Sequence, residues 1–203
     1  MNFYDRDPSL PYWLANVEAN SLFENHSHRL DRAQAWLRYR NVSESCTAFG
    51  QAVLMRGHFE ADSLGAHTYQ WTFTPTYLGQ PAIVLPVHEQ GRLVDLVAIA
   101  RHDYRVWGCC TGTGQYVGKF VNPLPVHDTP YSWLMSNCGG VLPLAKAFFP
   151  LMQFAPSIIA RDSGHAWEIA HQAFIYPAER FGLDCNAAEQ AAFDRISFDE
   201  AAV

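Results

Sequence analysis

The chain has 203 residues, of which 49% are hydrophobic, 14% aromatic and 17% charged, with a formal net charge of −6. That length suits one domain with a substantial core, and the aromatic content argues against a disordered chain. The acidic balance lowers the expectation of a free-standing nucleic-acid binder, and no apolar run approaches the ~20 residues needed to cross a bilayer.

The opening stretch MNFYDRDPSLPYW carries acidic residues and lacks the apolar run of a secretory signal. Residues 8–55 read as helical, within an N-terminal segment over 1–57. Asp7 or Ser9 caps a first helix through Tyr12–Val17. A second helix runs from about Ser27 to Arg40, with Leu30, Ala33, Trp36 and Leu37 on its apolar face and Asp31 and Arg38 opposite. A third begins near Ser43 and carries Ala48, Phe49, Ala52 and Val53.

Residues 58–121 read as a β-rich middle. Tyr69, Trp71 and Phe73 alternate with polar residues, as in a half-buried strand. Pro81–Val87 and Arg92–Ala100 are apolar runs around a Gly91 turn, which predicts a β-hairpin with Pro86 at an unpaired position. A further strand covers Tyr104–Cys109.

Residues 122–203 read as a small α/β part. Asp128 or Thr129 caps a helix that opens on Pro130. Gly140–Leu144 is a short buried segment, and Lys146–Phe154 is a helix bent by Pro150. Ile158-Ile159 forms a strand that ends at Arg161-Asp162-Ser163-Gly164. A helix follows with Ala166, Ile169, Ala170, Ala173 and Phe174 on one face. The last twenty residues predict a terminal helix with a frayed tail. The five cysteines, Cys46, Cys109, Cys110, Cys138 and Cys185, are odd in number and show no C-x-x-C spacing. Free thiols in a reducing cytosol are the simplest expectation.

A strand that delivers an acidic loop to a helix N-terminus is where α/β proteins often place their chemistry. Asp162 is therefore the leading candidate, either as a simple helix cap or as a catalytic carboxylate. Arg161 is available to pair with it, and His165 and Glu168 project nearby. Six residues separate His165 from His171, so these two imidazoles do not share a face. Gly112–Gly118 fits no phosphate-binding pattern and reads as a strand connection, with Lys119 left as an anion contact. Arg29, Arg32, Arg38 and Arg40 form the one dense basic patch, read either as nucleic-acid contacts or as solvated charges. The dipeptides His102-Asp103 and His127-Asp128 form no motif by themselves. Cys109-Cys110 offers a nucleophile with no identifiable base.

Two stretches resemble one family. PAIVLPVHEQGRLVDLVAIAR is similar to the hairpin that opens the catalytic core of bacterial and phage primases. SIIARDSGHAWEIAHQAF resembles the strand–acidic loop–helix of their Toprim fold. In that family a glutamate on an earlier strand and an Asp-x-Asp pair hold magnesium for nucleotidyl transfer. Asp162 stands at the first acidic position, but Gly164 stands at the second, and Gly140–Lys146 lacks the glutamate. The resemblance thus implies a Toprim-derived phage or mobile-element protein that has lost metal-dependent catalysis.

The expected architecture is α+β: N-terminal helices, central antiparallel hairpins and a Toprim-like C-terminal layer. The expected function is an accessory or binding module in nucleic-acid metabolism, with no cofactor unless further carboxylates converge on Asp162 to hold magnesium. The alternatives are a hydrolase or phosphoryl-handling enzyme centred on Asp162, His165 and Glu168, with Asp103 or Asp128 as a second carboxylate, and a protein-interaction module. The expected partners are nucleic acid, a replication protein or a second copy, with no membrane and a cytoplasmic location.

Overall fold

The structure is a computed structural model that describes residues 30–61, 71–89, 91–104, 106–110 and 114–198. Helix α1, Leu30–Tyr39, buries Ala33, Trp36 and Leu37, with Asp31 in its first turn and Arg38 in its last, where each complements the helix dipole. Asn41, at φ 60°, stops it: the Val42 amide reaches back to the Leu37 carbonyl. The expected Tyr12–Val17 helix lies outside the described residues.

The third expected helix is replaced by one short turn and a strand. Thr47–Gly50 is a 3-10 turn, and Val53 opens strand β1, Val53–Ala61. Ala48, Phe49, Ala52 and Val53 are all buried, so their spacing marked the core but not the backbone conformation.

Strands β2 (Trp71–Pro75), β3 (Gln80–Glu89), β4 (Arg92–Ala100) and β5 (Trp107–Cys109) close with β1 into a five-stranded barrel of order β1-β2-β5-β4-β3. The predicted hairpin is β3–β4, with Val84 opposite Ala98. Pairing of β1 with β3 ends at Val84, so Pro86 stands beyond it and no ladder bond is lost. Alternate residues point to two cores. Met55, Phe73, Ala82, Val84, Leu96 and Ala98 fill one cluster, and Ile83, Leu85, Val97 and Ile99 face the other. A Cβ at Gly79 would overlap the backbone of Gly57, and one at Gly57 would overlap the Phe73 ring, so the barrel seam closes on bare backbone.

The second layer is built from short strands. β6 (Tyr116–Gly118) pairs antiparallel with β8 (Val141–Pro143). β7 (Leu124–Pro125), β9 (Ile158–Ala160) and β10 (Ile196–Phe198) form a parallel sheet of order β10-β9-β7. β10 corrects the expected helical tail: α5, Cys185–Phe193, ends and the chain returns as a strand.

Helix α2, Pro130–Met135, opens on proline with Thr129 as its cap. Lys146–Phe154 is a 3-10 helix containing Pro150. After α3, Ser163–Ala170, the chain makes a π-turn over His171–Ile175 and enters α4, Tyr176–Phe181. Pro177 accounts for the π-turn. It has no N–H for the Ala173 carbonyl, and Gln153 Nε2 donates to that oxygen instead.

Cys46 and Cys138 are joined by a disulfide, which corrects the expectation that all the thiols are free. Cys185 is an exposed thiol, and Cys109 and Cys110 are buried. Trp107 and Trp133 are core residues. No helix among the described residues is long and apolar enough to cross a membrane.

Candidate functional site

The parallel sheet brings two similar turns side by side. β7 pairs with β9 so that Leu124 faces Ile158 and Pro125 faces Ile159. In sequence, His127-Asp128-Thr129 follows β7 as Arg161-Asp162-Ser163 follows β9. Both strands therefore end in basic–Asp–hydroxyl and feed a helix at the carboxyl edge of the sheet, where backbone groups are exposed and two loops meet.

Arg161 occupies the space between the two aspartates. Its Nη1 pairs with Asp128 Oδ2, and its Nε donates to Asp162 Oδ2 at 2.7 Å. The Asp162 side chain also caps α3, with Oδ1 accepting the His165 amide at 2.8 Å. That amide first, and Arg161 second, hold the Asp162 carboxyl below the usual carboxylate range. Asp128 and Asp162 are thus joined through one shared guanidinium.

His165 is 4% exposed. Its Nδ1 accepts the Arg161 amide at 3.2 Å, so the neutral ring carries its hydrogen on Nε2, and that buried N–H meets no partner among the described residues. Burial, aided by the Arg161 charge, pushes its pKa down to about 4. Glu168 is half-buried on the same helix.

His127 Nε2 lies 2.9 Å from the Gly139 carbonyl and 3.2 Å from Ser136 Oγ. A carbonyl only accepts, so Nε2 carries hydrogen and is no base for that serine. Ser136 Oγ itself donates to the Trp133 carbonyl at 2.7 Å. Burial lowers the His127 pKa, against the Gly139 bond. This serine–histidine contact stitches the α2 end to its turn and does not form a nucleophilic pair.

The magnesium site of the family that the chain resembles draws on several carboxylates. Here the Arg161 guanidinium pairs with both aspartates and offsets one of their two negative charges. No three His, Cys, Asp or Glu side chains are grouped to hold a metal among the described residues.

The basic patch is divided. Arg38 pairs with Glu44 at 2.7 Å and lies over the Phe49 ring. Arg40 lies over the rings of Trp36, Tyr39 and Tyr104. Arg32 and Lys119 are exposed, and Arg29 lies outside the described residues.

The glycine-rich segment is anchored by carboxylates. Asp95 is fully buried, and its oxygens accept the Leu96, Cys110 and Gly114 amides at 2.7, 3.1 and 3.2 Å. Glu89 Oε1 accepts the Gln115 amide at 2.6 Å. Those amides face acids, which agrees with reading the segment as a connection between strands.

Sequence reasoning offered Asp103 or Asp128 as a second carboxylate and did not choose between them; the structure pairs Asp128 with Arg161. The signal was present: Val126-His127-Asp128-Thr129 and Ala160-Arg161-Asp162-Ser163 share one pattern, each before a helix. Compared with known proteins, the chain matches no family model, no curated relative and no solved structure.

Proposed function

We propose that this chain is a catalytically degenerate, primase-core-like protein of phage or mobile-element type, with a Toprim-like C-terminal layer, that acts by binding in nucleic-acid metabolism. The observation that supports it is Arg161. At the sheet edge where a metal-dependent polymerase would concentrate uncompensated carboxylates, the two aspartates here close on an internal cation. Binding then falls to outward-facing cations, of which Arg32 and Lys119 are solvent-exposed.

Fluorescence anisotropy with labelled single- and double-stranded oligonucleotides tests this reading. We expect affinity to fall steeply between about 50 and 200 mM salt, since phosphate contacts release counterions. EDTA should leave binding unchanged, and the Arg32→Ala/Lys119→Ala double variant should weaken it several-fold. Undetectable or salt-insensitive binding would overturn the proposal.

A second reading, a phosphoryl-handling enzyme centred on Asp162, His165 and Glu168, draws support from Arg161, which holds Asp128 and Asp162 in one ion-paired cluster. It predicts that Asp162→Ala abolishes a phosphatase or nuclease activity while the oligonucleotide affinity persists.

A further inference from the structure

A concavity lies away from the sheet edge, in the C-terminal helical layer. It encloses about 960 Å³, within the range of sites that hold small molecules. Its walls come from the 3-10 helix, the π-turn, α4 and α5. The π-turn contributes Gln172 and Phe174 to its lining. The opposite wall is α5, which presents Ala187, Ala188 and Ala191 and so leaves room above it.

Apolar side chains at the mouth stay in water. Tyr176 is 49% exposed, Phe181 72% and Leu183 64%. Two cations line the same space, Arg180 and Arg195, and neither forms a salt bridge among the described residues. Arg195 is held in place, with Nη1 donating to the Gln153 carbonyl at 2.6 Å and its guanidinium over Phe174. The one acid in the lining is Asp184, whose Oδ1 accepts the Asn186 and Ala187 amides to cap α5. The lining therefore carries two positive charges and one negative. A single anionic head brings that sum to zero, while a phosphate dianion overshoots it.

We infer that this groove binds a small amphiphilic monocarboxylate, its chain along the alanine face of α5 and its carboxylate against Arg180 and Arg195. The guanidinium fork suits a carboxylate, and the alanine face suits an unbranched apolar body. The site stands apart from Arg161 and does not depend on nucleic-acid binding.

Isothermal titration of the full chain with octanoate, octanol and butyrate, all below any micelle-forming concentration, tests the inference. Octanoate should bind saturably at one site per chain, at least five-fold tighter than either octanol or butyrate. Arg180→Gln, at an exposed position, should remove most of the preference for octanoate over octanol. Ala188→Trp, which fills the groove, should abolish binding while the thermal melt by circular dichroism is retained. Equal affinity for octanoate and octanol, non-saturable uptake, or octanoate binding unchanged in Ala188→Trp would each overturn the inference. So would a concentration-dependent mass by light scattering that Ala188→Trp abolishes, which would assign the groove to a second copy of the chain.

Discussion

Asp95 in the barrel and the Asp128–Asp162 pair at the sheet edge are carboxylates answered by different partners. Asp95 is fully buried and accepts the backbone amides of Leu96 in β4, of Cys110 just after β5 and of Gly114 in the connection to β6. The edge pair shares one arginine, whose side chain is 52% exposed and sits on a turn, and Asp162 takes only one backbone amide besides, that of His165. Backbone donors are fixed and unscreened, whereas an exposed ion pair shares its partners with water and salt. The barrel thus uses a carboxylate to hold the fold, and the edge uses carboxylates to hold a surface charge.

The largest effect should come from Asp95→Ala, which strands three buried amides. We expect a loss of about 3–5 kcal/mol in urea unfolding. A loss under about 1 kcal/mol would place Asp95 in the same class as the edge pair and erase the contrast.

His165 sharpens the comparison through pH. Its pKa is depressed from 6.5 to about 4, so the folded state binds fewer protons than the unfolded chain. Its contribution is present above pH 6.5 and is lost as pH falls toward 4, on the order of 3 kcal/mol in all. Unfolding midpoints measured from pH 7 to pH 4 should show this fall, and His165→Leu should flatten it. An unchanged slope in that variant would assign the acid sensitivity elsewhere.

Arg161→Ala should have the smallest effect on stability, under about 1 kcal/mol, because the guanidinium itself is half in water, with a side chain 52% exposed. Its signature is a titration: the Asp162 carboxyl, followed by NMR, should move upward once the guanidinium is gone. A carboxyl that stays in place would leave the His165 amide alone responsible for its depression.

Much of the fold is written in local patterns. The β3–β4 hairpin, the Thr129-Pro130 helix start, the apolar face of α1 and the Ile158-Ile159 strand with its Asp162 cap all follow from spacing and capping chemistry. The misses share a cause. Ala48, Phe49, Ala52 and Val53 satisfy a helical spacing, yet barrel pairing draws Val53 into β1. Ile196-Ser197-Phe198 is too short to announce a strand, and its partner Ile158 lies 38 residues earlier. The Cys46–Cys138 pair spans 92 residues, and no spacing rule reaches that far. The pairing of Asp128 with Arg161 depends on β7 lying beside β9, which only the assembled sheet defines.

The bare contact between Gly57 and Gly79 has one more consequence. Side chains elsewhere in the barrel can trade volume with their neighbours, but a side chain at Gly79 would meet the main chain of Gly57, and one at Gly57 would meet the Thr74 carbonyl as well as the Phe73 ring. The girth of the barrel is set there by main-chain thickness. A saturation-mutagenesis map should show these two positions as a narrow sterile band between tolerant flanks, and a roomier barrel would have to be sought by adding a strand rather than by thinning its filling.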